Sequence, residues 1–326
     1  MSARIVWIDM LRGFCMMAIL WFHTEIYYIG VDKVPYELYV GDVLATFFFL
    51  SGYVLGLRKT FDAQKMIHGV ARWLLLPYFV FTFLIAVPKA LMHGSFEGFS
   101  PIVLNILSGH ASWFVSALIV AQLFFIVIMK LFNRSTVSLV IAALLSLVAV
   151  YIIGNSESAY YYEADLWHVN EALLGFTVMV IGYLFSKNEV AVSGKLFSGV
   201  GIIALVIMFM FTKCCMCLYD IKAIFAPVTA PVFSLFFFDL IVSVFLLVGI
   251  FRLLPENKVL VWVGQRSIAY YFICGGCPFV VAELMNKIGF SYAAYWQVPI
   301  VYILVCLLST TIVALIYRYT RILKRP

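Results

Sequence analysis

Charge is scarce in this sequence: aspartate, glutamate, lysine and arginine together make up 12% of its 326 residues. That is too little to cover a soluble surface when 65% of the chain is hydrophobic and the mean hydropathy is +1.06, so lipid is the expected solvent. No polar stretch interrupts the apolar runs between residues 13 and 317 for long enough to hold a separate domain, which leaves one integral-membrane domain over residues 1–326. No basic run interleaved with aromatics is present, and the net charge of +6 rests on Lys and Arg residues placed between apolar segments. That excludes nucleic acid as the expected partner and makes the charge topological. The seven cysteines, Cys214, Cys215 and Cys217 among them, lack the paired spacing of a zinc or redox site and read as buried free thiols. No small-residue cleavage site follows the apolar run from Gly13 to Phe22, so this segment is expected to be a retained first helix rather than a signal peptide.

What is present is a succession of apolar runs of spanning length, about 17 to 25 residues each. They fall at 7–29, 40–57, 72–92, 112–132, 136–154, 168–186, 195–212, 228–251, 259–285 and 296–317. Backbone groups in hydrocarbon must be satisfied within their own segment, and no alternating ten-residue pattern supports a barrel, so each run is expected to be a helix. The expected fold class is all-α integral membrane, a single bundle of about ten transmembrane helices. Alternate loops differ in charge. All 22 basic residues except Lys33, Lys89, Lys213, Lys222 and Lys287 lie at the N-terminus, around 58–72, 130–134, 187–195 and 252–266, or in the tail from Arg318. The opposite loops collect Asp32, Glu37, Glu97, Glu157, Glu163 and Asp165. Lys and Arg accumulate in cytoplasmic loops, so both termini are expected inside. Tyr27 with Tyr28, and Tyr160, Tyr161 and Tyr162, suit interfacial anchoring at the outer ends. Gly275, Gly276 and Pro278 interrupt the ninth run, as a broken helix at a site or as a kink beside neighbouring helices.

A titratable group inside a membrane segment costs several kcal/mol and is a functional candidate for that reason. Asp9, Arg12, His23 and Glu25 all fall on the first helix. Eleven residues separate Arg12 from His23, which is three turns plus about 20°, so the two share a face about 16 Å apart along the axis. Asp9, three residues before Arg12, can pair with it. The resulting polar rail implies a substrate path across the bilayer, with a guanidinium suited to phosphate and an imidazole suited to general-base work. The bland alternative has Arg12 snorkelling to the interface and His23 hydrogen-bonded to a neighbouring helix. Glu25 points elsewhere on the helix, as an outer-rim acid. Ser51 and Gly52 close a Phe-rich run in which small residues let helices approach closely. Arg72 opens the third span, as a phosphate ligand or a topological marker. Trp113 opens the fourth at the outer side. Asp239, enclosed by Phe236, Phe237, Phe238 and Leu240, needs a partner, and Glu171 sits near the outer end of the sixth span.

These residues resemble a known family. Arg12 and His23, with ten residues between them, lie within and beyond Ile8-Asp9-Met10-Leu11-Arg12-Gly13, and together resemble the first-helix signature of the acyltransferase family three membrane enzymes. Phe47-Phe48-Phe49-Leu50-Ser51-Gly52 resembles the second-helix motif, and Arg72-Trp73-Leu74-Leu75-Leu76-Pro77-Tyr78-Phe79 the third-helix entry. Ser112-Trp113-Phe114, the small-residue helix from Ala172 to Tyr183, and Gly264-Gln265-Arg266-Ser267 follow in family order, with closest likeness to stand-alone sugar O-acetylases.

The resemblance implies an enzyme of a bacterial inner membrane that takes acetyl from cytoplasmic acetyl-CoA and places it on a hydroxyl of a cell-envelope or exported glycan. Acetyl-CoA is then a substrate and no cofactor is permanently bound. His23 would be the catalytic histidine, with Arg12 and Asp9 beside the donor path. Arg72 would face the CoA phosphates and Ser51 the pore, while Glu25, Trp113, Glu171 and Asp239 would support the acceptor side. Two departures stand out. Gly69 occupies the position three before Arg72 where the family often has a second arginine, leaving Lys65 or His68 as substitutes. Cys274 stands where a histidine is often found seven residues after Ser267; it reads as a packing residue, since apolar burial disfavours a thiolate. Two other classes remain open: a secondary transporter or glycan flippase, motivated by the intramembrane charges and the interrupted ninth helix, and a catalytically silent sensor or assembly partner.

Overall fold

The computed structural model describes residues 5–92, 98–154, 165–320 and 322–323. Glu97, Glu157, Tyr160, Tyr161, Tyr162 and Glu163 lie outside the described residues, as do Arg4, Arg321, Lys324 and Arg325, which entered the charge comparison as part of the N-terminus and the tail. Among the described residues the chain is helical, with one isolated bridge between Ile224 and Thr229.

The helices are α1 (Val6–Ile29), α2 (Val40–Gly56), α3 (Ala63–Val70), α4 (Leu76–Met92), α5 (Phe99–Leu107), α6 (Trp113–Leu131), α7 (Thr136–Gly154) and α8 (Val169–Lys187). Then come α9 (Glu189–Leu196), α10 (Gly199–Leu218), α11 (Phe233–Leu253), α12 (Lys258–Gln265), α13 (Ser267–Ile273), α14 (Gly276–Lys287) and α15 (Gln297–Tyr319). Among the described residues, eight helical stretches are long and apolar enough to cross a membrane, and α13 with α14, bent by 47°, make a ninth if counted as one span. Helix α2 is apolar but shorter, at 17 residues.

The expected spans map onto these helices in order, except that the ninth, 259–285, is divided among α12, α13 and α14 rather than forming one helix, and that the eighth begins at Phe233 rather than 228. The third helix begins at Ala63 rather than 72, because the Asp62 carboxylate accepts the Lys65 backbone N–H and caps a new N-terminus. It continues into α4 through a π-helical turn, Ala71–Leu75, just before Pro77. Proline has no N–H to give and crowds the carbonyl four residues back, and a widened turn relieves both. The seventh helix runs to Leu218 rather than 212, because Lys213 is neutralised inside the protein, as described below.

The chain forms two compact units, one of residues 1–43 with 247–326 and the other of residues 44–246. In the first, α1 packs on α12, α14 and α15. A Cβ at Gly13 would strike the backbone of Leu260, and one at Gly264 the backbone of Asp9. The crossing of α1 and α12 therefore depends on glycine at both positions, which lets helix backbones meet. Tyr302 donates to the Met17 carbonyl at 3.0 Å and Tyr28 to the Phe290 carbonyl at 2.9 Å, fastening α15 and the turn before it to α1.

In the second unit α2 and α8 interlock reciprocally. Gly52 and Gly56 of α2 lie against Met179 and Tyr183, and Gly175 and Gly182 of α8 lie against Phe48 and Phe49. The two motifs rich in small residues are thus the two halves of one helix crossing. Loops expected on one side, carrying Arg58, Lys59, Arg134 and Lys187, converge at one end of this unit. At the other end Trp167 donates its backbone N–H to Ser108 and Tyr78 its hydroxyl to Ile106.

Candidate active site

Helix α1 is unbroken from Val6 to Ile29, so the eleven-residue spacing keeps Arg12 and His23 on one face, about 16 Å apart. Both side chains are half-buried. The His23 ring lies edge-on to Phe22 at 5.5 Å and parallel to Tyr27 at 6.2 Å, and Tyr27 meets Phe279 of α14 edge-on at 5.7 Å. Tyr27 also lies beside Gly275 and within electrostatic reach of Cys274. Through Tyr27, His23 therefore looks toward the place where α13 and α14 bend apart. An imidazole held between aromatic rings and only partly covered can exchange a proton with a bound hydroxyl. Cys274 itself is buried.

Near the other end of α1, Asp9 is buried and accepts a 3.4 Å bond from the Gln265 amide. The Gly-Gln-Arg-Ser segment thus contributes a contact to the rail that the sequence did not suggest. Glu25 is not an outer-rim acid. It is fully buried, accepting the Val34 N–H at 3.2 Å and the Tyr295 hydroxyl at 2.5 Å. Burial and the neighbouring Glu25 push the Tyr295 phenol up to about 12, so it stays a donor. Glu25 closes the Val31–Tyr39 loop and the Tyr295 turn over the end of α1, because a carboxylate placed there must find donors.

The residues expected on the donor side lie in the second unit. Arg72 does not open a helix but sits within the π-turn, its guanidinium 5.3 Å from the Trp73 ring. Lys65 is exposed and pairs with Asp62 at 3.4 Å. Ser51 donates to the Phe47 carbonyl of its own helix at 2.9 Å.

Asp239 has the partner it needed. The Lys213 ammonium lies 2.6 Å from one carboxylate oxygen and the Thr212 hydroxyl donates to the other at 2.6 Å, all three buried. Lys213 was expected in an outer loop; instead α10 carries it into the apolar interior, where the carboxylate of α11 compensates its charge. Asp239 stands in the sequence as an isolated acid in an apolar run, whereas Lys213, one residue beyond the expected seventh run, reads as a loop residue; the apolar and Cys-rich residues that follow it to Leu218 are the signal that α10 continues.

Glu171 is also paired, 3.3 Å from His168 Nδ1. Asp165 accepts the Val169 and Asn170 backbone N–H groups at 2.9 and 3.0 Å, capping α8, and burial pushes its carboxyl up to about 6. Trp167 and His168 adopt left-handed backbone conformations to make this turn. The His110 ring lies 5.2 Å from that of His168. Trp113, half-buried, lies 6.4 Å from it and also packs on Phe114 and Phe225 inside the unit. Ligand atoms of Asp165, His168 and Glu171 lie within 4.8 Å of one another, a donor set with room for a cation. Its members already satisfy the helix cap and one another, so the group stands as a structural knot. The grouping of Asp165, His168 and Glu171 within seven residues was the signal in the sequence that could have found it.

Residues 5–318 match a family model of acyltransferase family 3, described as an acyltransferase domain. No curated protein and no solved structure matches the chain.

Proposed function

Since the chain belongs to acyltransferase family 3, we propose that it is a multi-pass inner-membrane O-acetyltransferase, moving acetyl from cytoplasmic acetyl-CoA to a hydroxyl of a bacterial envelope or exported glycan. The observation that carries the reading is the half-buried His23 ring, held between Phe22 and Tyr27 beside the bend of α13 and α14. In the reaction, His23 takes the proton of the acceptor hydroxyl as the oxygen attacks the thioester carbonyl. The carbon–sulfur bond breaks, and the CoA sulfur leaves with the proton returned by the imidazolium. A positioned base of this kind contributes on the order of 10²–10⁴-fold.

Arg12, deeper on the same face and backed by Asp9, faces an anionic part of the donor, for which a guanidinium is suited. The basic loops then face the cytoplasm with both termini inside, following the positive-inside bias. Arg72, Lys65 and Ser51 belong to the donor side, and Trp113, Glu171, Asp239 and Glu25 support the acceptor side. The bent pair of helices favours transport as the second reading. The experiment that separates them incubates purified protein with labelled acetyl-CoA and envelope glycans and reads the products by mass spectrometry. Acetylated glycan supports the enzyme; glycan flux across a vesicle without modification supports the transporter and overturns the proposal.

A further inference from the structure

The strongest feature outside the α1 face is a basic pocket in the second unit, where the end of α2, the α6–α7 turn and the end of α8 meet. It is an open cleft of about 140 Å³, and Arg58, Lys59, Arg134 and Lys187 all line it. No carboxylate is among its lining residues. The Arg134 guanidinium lies 5.7 Å from the Phe61 ring and the Lys187 ammonium 5.5 Å from the Tyr183 ring, so two of the cations rest on aromatic shelves. Asn133 and Arg134 are consecutive left-handed residues, a conformation that costs a non-glycine residue about 1–3 kcal/mol and persists only where the surroundings impose it. This turn brings Arg134 over Phe61. Below the cations the lining is buried and apolar.

Four cations at one mouth repel one another, and an anion with several charges relieves that repulsion. A guanidinium offers planar paired donors to phosphate and an ammonium a point charge, so the set suits clustered phosphate rather than a single carboxylate. The aromatic and apolar walls suit a ligand that carries an organic body. We infer that this pocket binds the phosphate groups of an organic phosphate, the chemistry shared by the nucleotide end of an acetyl-CoA donor and an anionic lipid headgroup. The donor version rests on the acetyl-transfer reading; the lipid version does not.

The test uses full-length protein in neutral detergent, with adenosine 3′,5′-bisphosphate and phosphatidylglycerol as probes. Binding of the first is read by calorimetry, and stabilisation by the second by thermal unfolding. The variants are Arg134→Ala with Lys187→Ala, Arg58→Ala with Lys59→Ala, and Phe61→Leu, the four cations being exposed and outside the packed interior. The inference expects each cation pair to weaken one probe at least tenfold in 0.1 M salt, with the wild-type advantage shrinking as salt rises. Weakened bisphosphate binding, together with a raised KM for acetyl-CoA at unchanged kcat, identifies the donor; loss of the lipid effect alone identifies a headgroup. Unchanged responses to both probes in both cation variants overturn the site. If wild-type protein binds bisphosphate but transfers no acetyl group, the pocket stands and the enzymatic reading falls.

Discussion

Replacing Lys213 by alanine should destabilise the protein far more than any surface lysine change. Lys213 is 7% exposed and Asp239 is 1% exposed, with 2.6 Å between their charged atoms. Removing one partner leaves an uncompensated buried charge, a loss of about 3–5 kcal/mol. Asp239 keeps only the Thr212 hydroxyl, a single bond worth about 1.5–3 kcal/mol to a charged group, and one such bond does not replace a counter-ion. Removing both charges behaves differently. Lys213→Met with Asp239→Leu fills the space with apolar groups and should come within about 1 kcal/mol of wild type, since a buried pair is often no better than a hydrophobic substitute. Reversible unfolding in detergent mixtures of increasing denaturing strength measures all three proteins. The double variant should recover most of what the single variant loses. A double variant no more stable than Lys213→Ala, or a Lys213→Ala cost below about 1 kcal/mol, would show that the pair is hydrated or absent and refute the assignment.

The remaining predictions concern the helix crossings, the buried acids and pH. Gly182→Val drives a side chain into the backbone of Phe49 and should cost about 3 kcal/mol or more, whereas Gly69→Ala, which meets nothing within 4 Å, should be neutral or stabilising by about 0.5–1 kcal/mol; thermal unfolding of both checks this. Tyr295→Phe removes one of the two donors that Glu25 holds and should lower stability by about 1.5–3 kcal/mol on the same assay. Asp165 is raised from 3.8 to about 6, so the stability it contributes is fully present below 3.8 and lost as pH rises through about 6. Unfolding followed from pH 4 to 8 should show that loss in wild type and a flatter profile in Asp165→Asn.

The helices were legible because lipid leaves a chain few options: a run of apolar residues must satisfy its own backbone, and most of the charge lies between the runs. Gly52 was legible too, as a small residue for close approach, and it does face the backbone of Met179; its counterpart Gly182, against the backbone of Phe49, was not singled out. What was not legible depends on partners distant in sequence. The length of α10 follows from Asp239, 26 residues after Lys213, and the role of Glu25 follows from Tyr295, 270 residues away. The Asp62 cap and the widened turn before Pro77 moved the start of the third helix, since local hydrogen-bonding groups outweigh hydropathy there. The four cations of the basic pocket come from two connections and the end of α8 and read singly as topological markers; their convergence is visible only in the fold.

The claim on which the rest depends is that His23 moves a proton. Acetyl transfer by purified wild-type and His23→Ala protein, compared at saturating acetyl-CoA and acceptor and at matched folded concentration, tests it directly. If His23 is the base, kcat falls by about 10²–10⁴-fold with little change in acetyl-CoA binding. A variant that turns over at the wild-type rate would contradict it.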